Sequence, residues 1–576
     1  MNDSLAETGS PTALAWRPRG IVGWLYTSNP FYVISAALVF AGLRMSFNPH
    51  SQSFDLRALM FGLAGYTLLL AITACLLIRF GRVWQDVRTI LLLVVLMFLA
   101  ASVAIDDTLI GRPSLGRAYF VGALVFAAVV SEGVLRGVRL RLPAGYRVPY
   151  YLILALFFLY PVALSPWTSA PASEAMHWGL FAFSPLAGLV FLTLLPAVRK
   201  GPQYVANNGS PWRWPLYPWV LFGFLALGVC GRAYYLCMSF HNVQAYQSIF
   251  GPYFLIPFLL ALDVLLLEAG LVTNSRAVLR TALAVPLGLV MLAAVGHRSD
   301  AVYQHFLTMV YVDLGGMPLF LSLVAVAGYY LYAFLRKVPK APELLSTALF
   351  ALAVVGPATT GRGTLEAPHP LPIFAISVLQ LGLWVAQRAS WRALVGLGCL
   401  ATSVTVAVPG WWSLPVGSQE LIAFHVGLAV VLVVGTFCDD LLGRALQTLG
   451  AVLIMIAGLA AVMGPKRGAA GLPPELVNVY PVVMALFAFG YARFSGHQLF
   501  VHAAYACLGA WTIARAGQAY AAVKRNVVGL DTIALGLVFF VLAALISVGK
   551  AGLLGRWLSK RKNTKLATSP DEFMRP

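Results

Sequence analysis

Charge is scarce in this sequence. Acidic and basic side chains make up 11% of 576 residues, against roughly a quarter in soluble globular domains. No stretch is both long and polar enough to fold as a separate soluble domain. The six cysteines (Cys75, Cys230, Cys237, Cys399, Cys438 and Cys507) lie in or beside apolar runs without CxxC or other ligand spacing. They read as small core residues, not as a disulfide or metal framework. No glycine-rich phosphate loop and no HExxH helix occurs, which argues against ATP-driven chemistry and implies no cofactor or metal. An apolar segment followed by a cleavage site is also missing from "MNDSLAETGSPTALAWRPRG", so the start does not have the form of a signal peptide.

What the chain has is apolar surface. Hydrophobic residues account for 60% and aromatics for 12%, and the mean hydropathy is +0.81. Runs of about 20 apolar residues, each long enough to cross hydrocarbon as a helix, recur with short polar breaks. Lipid offers no partner to exposed backbone groups and the alternation of a barrel is missing, so the spans must be helical. The expected fold is an all-α polytopic membrane bundle of about 18 spans. Their starts fall near residues 30, 58, 88, 118, 148, 176, 216, 252, 277, 316, 344, 370, 391, 420, 448, 477, 498 and 531. A tail and interfacial segment (1–28), one multi-span domain (29–555) and a basic tail (556–576) are the expected divisions.

The formal net charge of +19 does not form a contiguous basic face. A nucleic-acid partner is therefore not expected, and the positives read as topology. About 28 of the 40 lysines and arginines fall on one set of connections, including Arg79, Arg136, Arg139, Arg141, Arg147, Arg199 and Arg336. That asymmetry puts both termini in the cytoplasm, with the bilayer as the chief partner. Preference for arginine over lysine and short loops suit a bacterial inner membrane.

Ionisable groups inside apolar runs are expensive and point to function. Arg232 lies in "LALGVCGRAYYLCMSF", and Asp263 and Glu268 lie in "FLLALDVLLLEAGLV". If the two spans run antiparallel, Arg232 and Asp263 sit roughly 12 and 18 Å below one boundary, within reach of a long guanidinium. The expectation is a buried Arg232–Asp263 pair that either fixes helix packing or forms part of a substrate or proton path. Glu268 should project from another face toward the cytoplasmic half. Glu132 and Arg136 should pair at i, i+4, and His425 reads as a satisfied core histidine.

A second set gathers on the opposite, outer face. "GHRSDAVYQHF" (296–306) packs polar groups between apolar segments. On a helix His297 and Asp300 share one stripe, and Arg298 and His305 the next. With His241 they form an outer polar cluster, read either as the wet side of an interfacial helix or as a cradle for an anionic headgroup. Asp106-Asp107, in "SVAIDDTLIGRP", reads as a solvated loop end. The dipeptide resembles the adjacent acidic residues in an early outer loop of polytopic glycosyltransferases that use lipid-linked sugar donors. The likeness covers those two residues and carries no roles.

Three classes of function follow. A transporter or flippase for an amphiphilic or anionic substrate uses Arg232, Asp263 and Glu268. An exoplasmic-facing transferase using a lipid-linked donor needs Asp300, His297, His305 or Asp106 around one cleft. A non-catalytic scaffold or sensor needs only a tight bundle.

Overall fold

The computed structural model describes residues 30–46, 56–168, 173–240, 250–295, 300–357, 368–408, 410–463, 474–525 and 529–550. These residues are helical almost throughout, and no strand occurs among them. Thirteen helices are long and apolar enough to cross a membrane. His241, His297 and Arg298 lie outside the described residues.

The chain divides between Ile376 and Ser377 into two compact units. The first contains α1 (Phe31–Ser46), α2 (Leu56–Leu76), α3 (Trp84–Ala104), α4 (Asp106–Gly111), α5 (Pro113–Gly137), α6 (Ala144–Leu164) and α7 (Glu174–Leu192). It continues with α8 (Leu195–Arg199), α9 (Leu216–Phe240), α10 (Ile256–Val272), α11 (Arg276–Ala294), α12 (Ala301–Leu314), α13 (Pro318–Leu335) and α14 (Ala341–Val354). Helix α15 (Pro370–Gln387) crosses the division. The second unit holds α16 (Ser390–Ala407), α17 (Val416–Phe437), α18 (Leu441–Met463), α19 (Pro474–Ser495), α20 (Gln498–Lys524) and α21 (Leu530–Lys550).

Local chemistry sets the helix ends. Prolines occupy the first turn of α5 and α13, where the missing N–H is no loss. Ser173 caps α7, Ser275 caps α11 and Asp300 caps α12, each accepting from a backbone N–H of the first turn. Large apolar side chains cover the outside: Phe61 is 77% exposed and Leu227 71%. Facing water, each such side chain forgoes about 1.5–3 kcal/mol of burial, so these surfaces are built to face hydrocarbon.

The first unit is organised around α10. Six-tenths of its span is buried (61%), the largest share among the thirteen, and it packs against α7, α8, α11 and α13. In the second unit, Leu428 and Leu432 of α17, Ile454 of α18, Met484 of α19 and Phe500 of α20 share one apolar core. Beside it His425 contacts the Leu421 carbonyl through Nδ1 (2.7 Å) and the Tyr480 hydroxyl through Nε2 (3.1 Å). Both ring nitrogens are engaged, as expected of a core histidine. Asp440, just before α18, accepts from the Ser390 hydroxyl (2.6 Å) and the Gly443 N–H (2.9 Å), which hold its carboxyl below the usual carboxylate range.

Candidate functional site

Arg232 on α9 is buried and carries a carboxylate partner, but the partner is Asp106. The guanidinium meets both Asp106 oxygens, with Nη2 2.8 Å from Oδ1 and Nη1 donating to Oδ2. The side chains are 1% and 0% exposed. This overturns two expectations, a pair with Asp263 and a solvated Asp106. The reason lies in α4: "DDTLIG" forms a short helix folded into the bundle, in contact with α5, α6 and α9, and not a loop on its surface. On that helix Asp106 turns inward and Asp107 stays exposed. Gly116 makes the approach possible, because a Cβ there would stand 2.4 Å from the Leu109 Cα.

Asp263 is left without the guanidinium. It lies mid-way along α10 at 3% exposure, and neither carboxyl oxygen accepts a hydrogen bond from the described residues. Tyr329 of α13 stands close enough to interact with its carboxyl, yet the Tyr329 hydroxyl donates to the Ala282 carbonyl of α11 at 2.9 Å. The next tyrosine, Tyr330, donates to Leu283 at 2.8 Å. Among the described residues, Asp263 is also the one ionisable group lining a cavity of about 720 Å³. Its walls come from α7, α9, α10, α11 and the turn bearing Trp214, and they include Phe191, Trp219, Phe222, Leu259 and Leu289.

Glu268, five residues further on, has no such deficit. Its fully buried carboxylate receives Arg336 through Nε (2.8 Å) and Nη2 (3.0 Å), Arg199 Nη2 (3.1 Å) and the Tyr332 hydroxyl. Arg199 also donates to Tyr332 at 2.9 Å. Two arginines on one carboxylate tie α8, α10 and α13 together, and both guanidinium groups remain about two-fifths exposed (44% and 41%). Such a charge-assisted network fixes the end of the central helix.

No family model, curated protein or solved structure matches this chain.

Of the outer cluster, Asp300 and His305 are described, both on or beside α12. Asp300 Oδ1 accepts from the Tyr303 N–H at 2.8 Å, while Tyr303, Phe306, Leu307 and Val310 bury the opposite side. His305 is exposed. The arrangement is an amphipathic helix with a cap. Replacing Asp300 by alanine should cost about 1 kcal/mol through the lost cap, and asparagine should restore it. Hydrogen exchange at the Tyr303 amide measures this, and unchanged protection in Asp300→Ala would mean that the carboxylate is not acting as a cap.

Glu132 does pair with Arg136 (3.9 Å), but its closer partners are Arg147, with Nε at 3.0 Å, and the Tyr151 hydroxyl. Among the described residues no group of three or more histidines, cysteines, aspartates or glutamates could hold a metal. Sequence reasoning missed Asp106 as a partner, and it missed Arg199, Tyr332 and Arg336 around Glu268. The two arginines and the tyrosine lie near span ends, where such residues carry a signal of membrane side, not of pairing.

Proposed function

We propose that this chain is a transporter or flippase-like protein for an amphiphilic or anionic substrate, and that Asp263 belongs to its path. One observation carries the reading: a carboxyl group within a membrane-spanning helix, buried and without a hydrogen-bond partner among the described residues, in the wall of an apolar cavity. A buried polar group left unpaired costs free energy that a purely structural element has no reason to retain. Intramembrane ionisable groups of this kind mark substrate and ion paths.

The proposal includes about 18 spans with both termini cytoplasmic, in a bacterial inner membrane. Support for the span count comes from the eighteen starts set out above, each of which lies within a helix or a few residues before one. The Arg232–Asp106 clasp favours a second reading, a non-catalytic scaffold, since a sealed pair needs no substrate. That reading leaves Asp263 without a purpose. An exoplasmic transferase needs free carboxylates, whereas Asp106 is held by Arg232 and Asp300 by a backbone amide.

The test is lipid exchange across proteoliposomes. Fluorescent phosphatidic acid and phosphatidylcholine are placed in both leaflets, and the fraction reached by an external quencher is followed in time. Wild type is expected to exchange at least one of them faster than empty vesicles, with Asp263→Asn reducing the excess rate by about tenfold, equivalent to about 1.4 kcal/mol on the barrier. Exchange of both lipids at the empty-vesicle rate, or an unaltered rate in Asp263→Asn, would sink the reading.

A further inference from the structure

A second cavity, separate from Asp263, has the complementary chemistry. A cleft of about 890 Å³ opens where the end of α5 and the start of α6 meet the 207–209 turn. Four arginines line it (Arg136, Arg139, Arg141 and Arg147) against one carboxylate, Glu132. Glu132 is already taken by Arg147, Arg136 and Tyr151. Among the described residues Arg139 and Arg141 form no ion pair, and both are exposed.

The backbone beneath these two arginines is held firmly. The Arg141 N–H donates to the Asn208 carbonyl (2.7 Å), and the Tyr217 hydroxyl donates to the Arg141 carbonyl (2.9 Å). Gly209, at φ +80°, lies so close that a Cβ would stand 2.3 Å from the Arg139 oxygen, so glycine is required there. Arg139 itself holds a left-handed φ of 60°. Two unpaired guanidinium groups on a fixed loop are preorganised for an anion.

Directly beside the cleft runs a narrow apolar slot of about 100 Å³ between α3, α5 and α9. Leu135, Leu140 and Leu142 line both spaces, Leu92, Val95 and Leu221 continue the slot, and the exposed Arg88 stands in its lining. The Ser131 and Tyr150 hydroxyls in its wall are bonded to each other at 2.8 Å. The slot therefore prefers hydrocarbon, and the cleft a compact anion. The geometry points to a binding site for a phosphorylated amphiphile, its phosphate monoester between Arg139 and Arg141 and its chain entering past Leu135 and Leu140. A soluble phosphate could supply the same anion, but it has no use for the slot. Binding at this site is independent of any transport activity.

The experiment is native mass spectrometry of the full chain in detergent. It compares retained dioleoyl phosphatidic acid with dioleoyl phosphatidylcholine, with inorganic pyrophosphate as a soluble competitor. Wild type is expected to favour phosphatidic acid by at least about tenfold. Arg139→Asn combined with Arg141→Gln should erase the preference, asparagine being tolerated at the left-handed φ. Leu92→Trp, which fills the slot and leaves the arginines untouched, should also lower retention of phosphatidic acid. Equal retention of the two lipids, or full preference in the arginine double variant, overturns the site. Displacement by pyrophosphate together with undiminished retention in Leu92→Trp overturns the lipid assignment in favour of a soluble anion. Elution volume on size exclusion shows that each variant is folded before it is scored.

Discussion

Replacing Arg232 with methionine is expected to destabilise the first unit by about 3–5 kcal/mol, because it strands the fully buried Asp106 carboxylate without the one cation that pairs with it among the described residues. The size of the loss comes from the orphaned charge and not from the pair's own attraction. Two charges brought out of water repay their desolvation only in part, so removing both together behaves differently. The double variant Arg232→Met with Asp106→Leu should therefore recover the loss and fall between wild-type stability and about 4 kcal/mol above it. Thermal unfolding of the two single variants and the double variant forms a cycle whose coupling energy reports the pair directly. The parallel cycle with Asp263→Leu should show coupling near zero. A large coupling between Arg232 and Asp263, with little between Arg232 and Asp106, would reverse the assignment.

The second large effect has the opposite sign. Asp263→Leu is expected to stabilise the fold by about 1–3 kcal/mol, the cost of a buried polar group left unsatisfied. Leucine keeps the branching of the aspartate side chain, and the adjoining apolar cavity, walled by Leu259, Leu262 and Leu266, accommodates it. Tyr329 keeps its own bond to the Ala282 carbonyl. A residue that weakens the fold and serves the function is the pattern expected where activity depends on a destabilised site. Glu268 provides the contrast on the same helix. Its carboxylate receives two arginines and a tyrosine, so it holds structure together.

Helices were legible because the signal is local: some twenty apolar residues in a row dictate a helix in lipid whatever surrounds them. That Arg232, Asp263 and Glu268 lie buried could be read in the same way, as charges inside apolar runs. Their partners could not. Arg232 and Asp106 are 126 residues apart in sequence, and "DDTLIGRP" has the composition of a loop. What buries Asp106 is the packing of α4 against α9 and the close approach at Gly116, neither of which leaves a periodic trace. The arginines at span ends were read only as markers of sidedness, but the same residues, Arg199 and Arg336 at Glu268 and Arg139 and Arg141 in the cleft, also build sites. Loop arginine content reports membrane side and is silent about pairing. Asp300 was the converse case. An aspartate just before an apolar-periodic run is a helix-start signal, and the cap it forms answers what "GHRSDAVYQHF" is doing at that position, as far as α12 extends.

If Asp263 is kept unpaired and buried at the expense of stability, removing its carboxyl must raise the stability of the fold. The melting temperature of Asp263→Leu, measured in detergent beside wild type, tests it most directly. A higher melting temperature is the predicted result. A lower one would mean that the carboxyl is paired and structural, and Asp263 would then join Asp106, Arg232 and Glu268 as part of the scaffold.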